Sequence, residues 1–356
     1  MSPVVRAPVE RIAVFRALML GDLLCAVPAL RALRQAFPAA RIVLVGLPWA
    51  RELAARLDAV DEFMEFPGWP GLPETPPLVR AIPAFLAAMQ AQRFDLAIQL
   101  HGSGPVVNPL VGCFGARQTA GFRIDGAWHP PDEAERWAPW PEQGHEVERL
   151  LSLVDHLGLP RAGSELEFPL ERHDFAALHE VWAGAQRARP YVCVHAGAQL
   201  ASRRWPVARF AAVADALARQ GRSIVLTGSA HEAPLAEEVR ALMRQPAENL
   251  AGRTTLWTLG ALVAGAELVV CNDTGISHVA AALGRPSVVV SCGADVSRWA
   301  PLDAARHAVL WQPMSCRPCA YAVCPYDHGC ATAVDVPSVL AAAQRVSMPA
   351  GAVANG

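Results

Sequence analysis

The chain has 356 residues, 53% of them apolar, which is enough for two domains with separate cores. Its formal charge of -2 and its scattered basic residues argue against a nucleic-acid partner, which needs a basic surface. No apolar run reaches the ~18 residues of a membrane span. The N-terminal residues lack the apolar core of a signal peptide. We therefore expect a cytoplasmic protein.

The first half of the chain alternates short apolar runs with amphipathic stretches. The predicted strands are Arg11–Phe15, Arg41–Gly46, 61–66 and 94–100, and the predicted helices are 78–92 and 145–157. A helix also follows the first strand. Pro28 predicts that this helix either starts near Val27 or is kinked, because an interior proline loses a hydrogen bond and clashes. Residues 67–77 and 128–143 are proline-rich and are expected to be irregular.

The second half repeats the alternation after a linker at 161–173. The predicted strands are 191–194, 222–226, 268–271 and 286–290, and the predicted helices are Val207–Arg219, 232–244, 255–264 and 336–346. Strands that alternate with helices predict an α/β fold with parallel sheets covered by helices on both faces.

Three predicted strands of the second half end in small or polar residues, at 196–198, 227–229 and 272–275. In an open α/β sheet, ligands bind at the carboxyl ends of the strands. We therefore expect these segments to converge on one ligand site.

The chemistry of these strand ends suits a diphosphate. Neither the dinucleotide signature nor the P-loop signature is present. Backbone N–H groups at 197–198 and 274–275, with a guanidinium from Arg203 or Arg204, can still hold the anion. The alternatives are a simple Asp/Thr helix cap at 273–274 and a solvated helix start at the two arginines.

Four motifs in order resemble those of glycosyltransferase family 9, the heptosyltransferases that extend the lipopolysaccharide inner core. They are Leu-Gly-Asp at 20–22 with 27–30, SRRWP at 202–206, LAGRTTL at 250–256, and 272–278 with 280–286. Each motif is weak alone, and their order makes the resemblance specific to the family, though not to the acceptor.

The resemblance implies a GT-B fold, in which two Rossmann-like domains with parallel sheets face a central cleft. The expected divisions are an acceptor-binding domain at 1–165, a nucleotide-sugar-binding domain at 174–335, and a C-terminal helix at 336–347 that can cross back to the first domain.

The resemblance also implies an inverting, metal-independent transfer of heptose from ADP-heptose to a lipopolysaccharide core or related lipid-linked glycan, with no catalytic cofactor. Asp22 falls on the family's proposed general base, which takes the proton of the acceptor hydroxyl. The alternative for Asp22 is a helix cap.

Further residues match the family's donor site. Asp273 is implied to face the sugar, Thr274 and Gly275 the diphosphate, and Glu232 the nucleoside, while Arg203 stands where the family usually has lysine. The predicted donor-binding residues are Gly197, Ala198, Arg203, Gly228, Ser229, Glu232, Asp273, Thr274, Gly275 and His278.

Two other functions are compatible with these features. A nucleotide-sugar epimerase shares the two-domain architecture and needs no acceptor. A non-catalytic sugar-nucleotide binder is the second alternative, because altered site residues need not abolish binding.

Four of the nine cysteines form a cluster, Cys316-x2-Cys319-x4-Cys324-x5-Cys330. The first gap suits a structural zinc site and the later gaps do not follow the usual paired spacing. Reduced packed thiols and disulfides are the alternatives. We expect the cluster to be structural and separate from the transfer chemistry.

The lipid-linked acceptor implies peripheral contact with the inner membrane. Trp69, Trp128 and Trp137 are the candidate side chains for that contact. The tail after Ser347 is expected to be disordered.

Overall fold

A computed structural model describes residues 4–6, 8–186 and 190–347. The chain divides into two compact units, Met1–Pro169 and Leu170–Gly356. This division lies inside the linker expected at 161–173. The tail after Ser347 lies outside the described residues, and its expected disorder stays a prediction.

The first unit contains one six-stranded parallel sheet in the order β3-β2-β1-β4-β5-β6. Its strands are β1 (Arg11–Phe15), β2 (Arg41–Gly46), β3 (Glu62–Glu65), β4 (Leu96–Gln99), β5 (Gln118–Arg123) and β6 (Trp137–Pro139). Its helices are α1 (Leu20–Ala36), α2 (Arg51–Ala54), α3 (Ile82–Ala91), α4 (Val107–Gly112) and α5 (Glu146–His156). The central strands β1 and β4 are buried along almost their whole length, which explains their continuous apolar sequences.

Two sequence-based expectations for this unit were wrong. Helix α1 begins at Leu20 and runs through Pro28, so the alternative of a start near Val27 is wrong, while the kink stays a prediction. Pro28 is a buried residue inside α1, and α1 packs on α5. Residues 128–143 are not wholly irregular, because they contain β6. That strand lies at the edge of the sheet, where Pro139 is tolerated.

The second unit contains a six-stranded parallel sheet in the order β9-β8-β7-β10-β11-β12. Its strands are β7 (Tyr191–His195), β8 (Ser223–Leu226), β9 (Ala247–Asn249), β10 (Leu268–Asn272), β11 (Ser287–Val290) and β12 (His307–Leu310). Its helices are α6 (Arg172–Val181), α7 (Val207–Arg219), α8 (Ala233–Leu242), α9 (Leu256–Gly265), α10 (Gly275–Ala282), α11 (Val296–Trp299), α12 (Gly329–Thr332) and α13 (Val336–Ser347). Helix α13 packs on α7, β11 and β12 through Val339, Ala342 and Val346.

Both sheets have the strand order of a dinucleotide-binding fold, in which the direction of winding reverses between the first and fourth strands. The reversal lies between β1 and β4 in the first unit and between β7 and β10 in the second. Ligands bind at the carboxyl ends of such strand pairs, where the connections diverge. The expected α/β architecture of two Rossmann-like parallel sheets is confirmed.

Candidate functional site

The side chain of Asn272 organises the reversal point of the second sheet. It is fully buried at the end of β10. Its Nδ2 donates to the carbonyl oxygens of Ala196 at 2.8 Å and Gly197 at 3.3 Å, both just after β7. Its Oδ1 accepts from the backbone N–H of Trp205 at 2.9 Å. One amide therefore joins three of the segments that the sequence places in the donor site.

Glu232 lies against the loop after β7. Its Oε2 accepts from the N–H and the hydroxyl of Ser229, each at 2.8 Å, and this fixes the rotamer of the carboxylate. A Cβ on Gly197 would lie 2.0 Å from Oε1 of Glu232, so any other residue there would displace this carboxylate from its present position. Gly228 is close as well, since its Cβ would meet that of Glu232 at 3.1 Å. The predicted residues of the β7 and β8 ends are thus neighbours.

Burial and hydrogen bonds set the ionisation of His195 and Glu232. Burial lowers the pKa of His195, outweighing the opposite effects of Glu232 and Thr227, so the imidazole is neutral near pH 7. Burial would raise the pKa of Glu232, but His195, both groups of Ser229 and Arg204 together lower it. We place most of that lowering on Ser229, because a neutral His195 3.9 Å away carries no charge. Glu232 is therefore an anionic acceptor for a polar ligand group.

Asp273 follows Asn272 and is held on one side by Ser291, whose hydroxyl donates to Oδ2 at 3.2 Å. Burial raises the pKa of Asp273 to about 6, although Ser291, Arg203 and Arg317 act to lower it. The carboxylate is ionised at neutral pH and protonates only in mildly acidic solution. Two cations, Arg203 and Arg317, thus lie close to the half-buried carboxylate of Asp273.

Thr274 is the N-cap residue of α10, but its side chain makes no capping hydrogen bond. The first N–H groups of a helix have no partner within the helix and favour an anion. His278 is on the same helix, buried, with its ring 6.1 Å from that of Trp299. The start of α10 therefore offers the N–H groups that the sequence predicted at 274–275.

The SRRWP segment supplies the basic side chains. Arg204 donates through Nε to the carbonyl of Ala198 at 3.0 Å and so holds the loop after β7. Arg203 donates through Nη2 to the carbonyl of Cys319 at 3.1 Å. Its Nε is buried and has no hydrogen-bond partner among the described residues. Neither arginine is a simple solvated helix start.

The cysteine cluster lies next to the SRRWP segment, and its expected separation from the transfer chemistry stays a prediction. The chain around it contacts the SRRWP segment: the N–H of Ser202 donates to the carbonyl of Ala322 at 3.2 Å, and Nε2 of His328 lies 2.8 Å from the carbonyl oxygen of Ser202. The cause is tertiary, since more than a hundred residues of sequence separate the two segments.

The structure does not form a metal centre at the cluster. Within residues 4–6, 8–186 and 190–347, no group of three or more His, Cys, Asp or Glu side chains is arranged to hold a metal ion. The zinc site expected from the spacing of Cys316, Cys319, Cys324 and Cys330 is therefore not supported. All four are free thiols, so the disulfide alternative is wrong and packed thiols remain.

Asp22 lies in the other unit, at the reversal point of the first sheet. It sits in the first turn of α1, whose N-cap is Met19, so Asp22 is not the cap residue. Arg16 donates to the backbone carbonyl of Asp22 through Nε at 3.2 Å and Nη2 at 2.8 Å. Arg16 is also paired with Glu146 of α5 at 3.0 Å, and both side chains are at most 1% exposed. A buried ion pair therefore positions the turn that carries Asp22.

A second polar pair lies at the end of β4. Nδ1 of His101 accepts from the N–H of Ala17 at 3.1 Å, and its Nε2 lies 3.3 Å from Oε1 of Glu74. Burial would raise the pKa of Glu74, but the hydrogen bond and charge of His101 lower it overall. Through the hydrogen bond to Ala17, this pair holds the loop between β1 and α1.

The tryptophans expected to contact a membrane differ in exposure. Trp128 is 46% exposed, Trp69 is half-buried, and Trp137 is only 1% exposed. Trp137 is therefore wrong as a membrane-contacting side chain, because it packs inside the first unit as part of β6. None of the helices in the described part of the chain is long and apolar enough to cross a membrane.

Three residues that contact the predicted donor-site segments were not among the predicted residues: Asn272, Ser291 and Arg317. Asn272 stood beside the predicted donor loop, and its position at the end of an apolar strand was the available signal. Ser291 and Arg317 gave no comparable signal, because only the fold brings them to Asp273.

The chain is similar to known proteins in sequence and in fold. Residues 82–329 match the family described as glycosyltransferase family 9 (heptosyltransferase). Lipopolysaccharide heptosyltransferase 2 of Escherichia coli K12 is 28% identical over 290 residues, which are 76% of this chain and 79% of the relative.

Two solved structures share the fold. A family 9 glycosyl transferase from Veillonella parvula has a TM-score of 0.81 at 19% identity, covering 96% of this chain and 98% of its own. The Escherichia coli heptosyltransferase WaaC, solved with ADP-2-deoxy-2-fluoro heptose, has a TM-score of 0.61 at 24% identity, covering 85% and 94%. These similarities confirm the expected GT-B fold. The family match spans more than half of the sequence, and the chain therefore belongs to glycosyltransferase family 9, the heptosyltransferases.

Proposed function

We propose that the protein transfers heptose from ADP-heptose to a lipopolysaccharide core or a closely related lipid-linked glycan. The observation that carries the proposal is the cluster at the ends of β7 and β10. There a half-buried carboxylate, the start of a helix and a guanidinium with an unpartnered N–H lie together among the described residues. These are the groups that an anionic sugar nucleotide requires.

The proposed donor contacts divide by chemistry. The N–H groups at 274–275 and the guanidinium of Arg203 hold the diphosphate. The carboxylate of Asp273 accepts hydrogen bonds from the sugar hydroxyls. Glu232, fixed by Ser229, accepts from the nucleoside, and Gly197 and Gly228 leave the space for that approach.

The proposed reaction is a single inverting displacement. Asp22 removes the proton of the acceptor hydroxyl while that oxygen bonds to the anomeric carbon. The bond from this carbon to the diphosphate oxygen breaks, and the electron pair leaves with ADP. The negative charge that develops on ADP is stabilised by the helix start and Arg203. No step requires a metal ion, because these groups already supply positive charge.

The reaction itself is testable with purified protein, ADP-heptose and a heptose-deficient lipopolysaccharide core. We expect ADP release that depends on the acceptor and is unchanged by EDTA, with a product whose anomeric configuration, read by NMR coupling constants, is opposite to that of the donor. Conversion of ADP-heptose without acceptor would favour an epimerase instead. Binding of ADP-heptose with no turnover on any core acceptor would favour a non-catalytic binder.

Replacing Arg203 by methionine is expected to weaken ADP binding about 10- to 100-fold. The reason is that a hydrogen bond to a charged group contributes roughly 1.5–3 kcal/mol, and each 1.4 kcal/mol is about tenfold. Arg203→Lys, which restores the ammonium usual in the family, should recover most of the affinity. Calorimetric titration with ADP checks both variants. Arg219→Met, an exposed arginine on α7, is the control, and equal losses in the Arg203 and Arg219 variants would refute the assignment.

A further inference from the structure

Residues 314–330, here called the cysteine-rich segment, form part of the wall of the proposed donor site. Cys319 donates its N–H to the carbonyl of Gly293, beyond the end of β11, and accepts from Arg203. The hydroxyl of Ser202 donates to the carbonyl of Tyr321. The segment thus holds both the SRRWP segment and the chain that follows β11.

Arg317 is the cation that this segment contributes. Its Nη2 donates to the carbonyl oxygen of Ser291 at 2.5 Å, and Nη1 donates to the carbonyl of Ala294 and to Oγ of Ser291, the latter at 3.3 Å. The guanidinium also lies over the ring of Trp311, 5.3 Å from its centroid. These contacts come from three directions and leave the guanidinium little freedom.

Ser291 links Arg317 to the donor site. A hydroxyl has one hydrogen to donate and lone pairs to accept. Here Oγ accepts from Arg317 and donates to Oδ2 of Asp273 at 3.2 Å. Ser291 is fully buried, so water does not compete for its hydroxyl. The result is a directed chain from guanidinium to hydroxyl to carboxylate.

The groups that face Asp273 electrostatically are Arg203, Arg317, Cys271 and Cys292. Burial raises the pKa of the thiols of Cys271 and Cys292, the latter to about 12, so both are neutral. The positive charge near Asp273 therefore comes from the two arginines. Of these two, Arg203 is assigned to the diphosphate above, and Arg317 is the one that hydrogen bonds join to Asp273 through Ser291.

We propose that Arg317 is a positioning residue of the donor site, which acts through Ser291 to keep the carboxylate of Asp273 ionised and oriented for the donor sugar. This role rests on the proposed function, since it assumes that Asp273 binds the donor. It gives the cysteine-rich segment a task in donor binding that needs neither a metal ion nor a disulfide.

The proposal has a consequence for pH dependence. Asp273 has a raised pKa of about 6, and the carboxylate is the form that accepts hydrogen bonds. Donor binding should therefore be complete above that pKa and should fall as pH drops through it. Removing the charge of Arg317 raises the pKa further, so the acidic loss of binding moves to higher pH. A shift of roughly half to one pH unit is expected, at the low end of what a neighbouring opposite charge produces.

The test compares Arg317→Gln, Arg317→Lys and Ser291→Ala with wild type, measuring ADP-heptose affinity by calorimetry and kcat/KM between pH 5 and 8.5. In Arg317→Gln and Ser291→Ala, donor binding should be lost at a higher pH than in wild type, while affinity at pH 8.5 stays near normal. Arg317→Lys should restore the wild-type pH dependence. Arg209→Gln is the matched control, because Arg209 also donates to backbone carbonyls, at Ala331, Thr332 and Val334, but not to Ser291. The Arg209→Gln variant should have a lower thermal stability and an unchanged pH dependence of donor binding.

The outcomes separate the two proposals. The role of Arg317 alone would be overturned if the wild type binds ADP-heptose and both Arg317→Gln and Ser291→Ala lose binding at the same acidic pH as the wild type. A wild-type protein that binds no ADP-heptose at any pH would overturn the proposed function and this role with it. If Arg317→Gln does not fold, Ser291→Ala decides, because it breaks the chain and leaves the guanidinium contacts to backbone carbonyls in place.

Discussion

Replacing Asp22 by alanine is expected to lower kcat by about 10²- to 10⁴-fold, the contribution typical of a general base. Affinity for ADP-heptose should stay within about twofold, because the proposed donor contacts all lie in the second unit. The measurement is acceptor-dependent ADP release together with calorimetric titration of the donor. A loss confined to kcat identifies a group that acts on the proton rather than on donor binding.

Two further variants of the first unit sharpen that result. Asp58→Asn removes an exposed carboxylate from the same unit and should leave kcat unchanged. Asp22→Asn keeps the size and polarity of the side chain but cannot take a proton, so it should be as inactive as Asp22→Ala. Substantial activity in Asp22→Asn would mean that Asp22 orients the acceptor without removing its proton.

Replacing Arg16 by methionine is expected to destabilise the first unit by about 3–5 kcal/mol, the cost of leaving one partner of a buried ion pair uncompensated. Glu146 is fully buried, and its 3.0 Å contact with Arg16 is closer than the 3.9 Å between its Oε2 and Arg149. The carbonyl of Asp22 also loses both of its hydrogen bonds from Arg16. Urea unfolding monitored by circular dichroism should show an early transition in this variant.

The double variant Arg16→Met, Glu146→Leu tests the cause. Replacing both members of a buried ion pair by apolar residues is often neutral or stabilising, so the double variant should recover much of the lost stability. Arg117→Gln removes an exposed partner of Asp95 and should cost less than about 1 kcal/mol. A double variant as unstable as the single one would show that packing of Arg16, and not its ion pair with Glu146, is the cause.

The outline of both sheets could be predicted from sequence wherever a strand is buried on both faces. Strands β1, β2, β10 and β11 are continuous apolar runs because helices cover both sides of a parallel sheet. Strands at the edges carry a weaker signal. β6 contains a proline, and β9 consists of Ala, Glu and Asn, so neither forms an apolar run.

The sequence by itself determined the family and the two Rossmann-like halves, and it located the segments of the proposed donor site. These depend on local patterns: buried strands, the residues at their ends, and short motifs in order. Only the tertiary structure decided that Arg317 is hydrogen-bonded to Ser291 and Ser291 to Asp273. It also decided that the ion pair of Arg16 and Glu146 lies next to the turn that carries Asp22. Arg16 and Glu146 are 130 residues apart in sequence. The physical reason is that a buried charge can be compensated by a partner from anywhere in the chain. Its identity therefore depends on how the elements pack, and local sequence patterns do not record that packing.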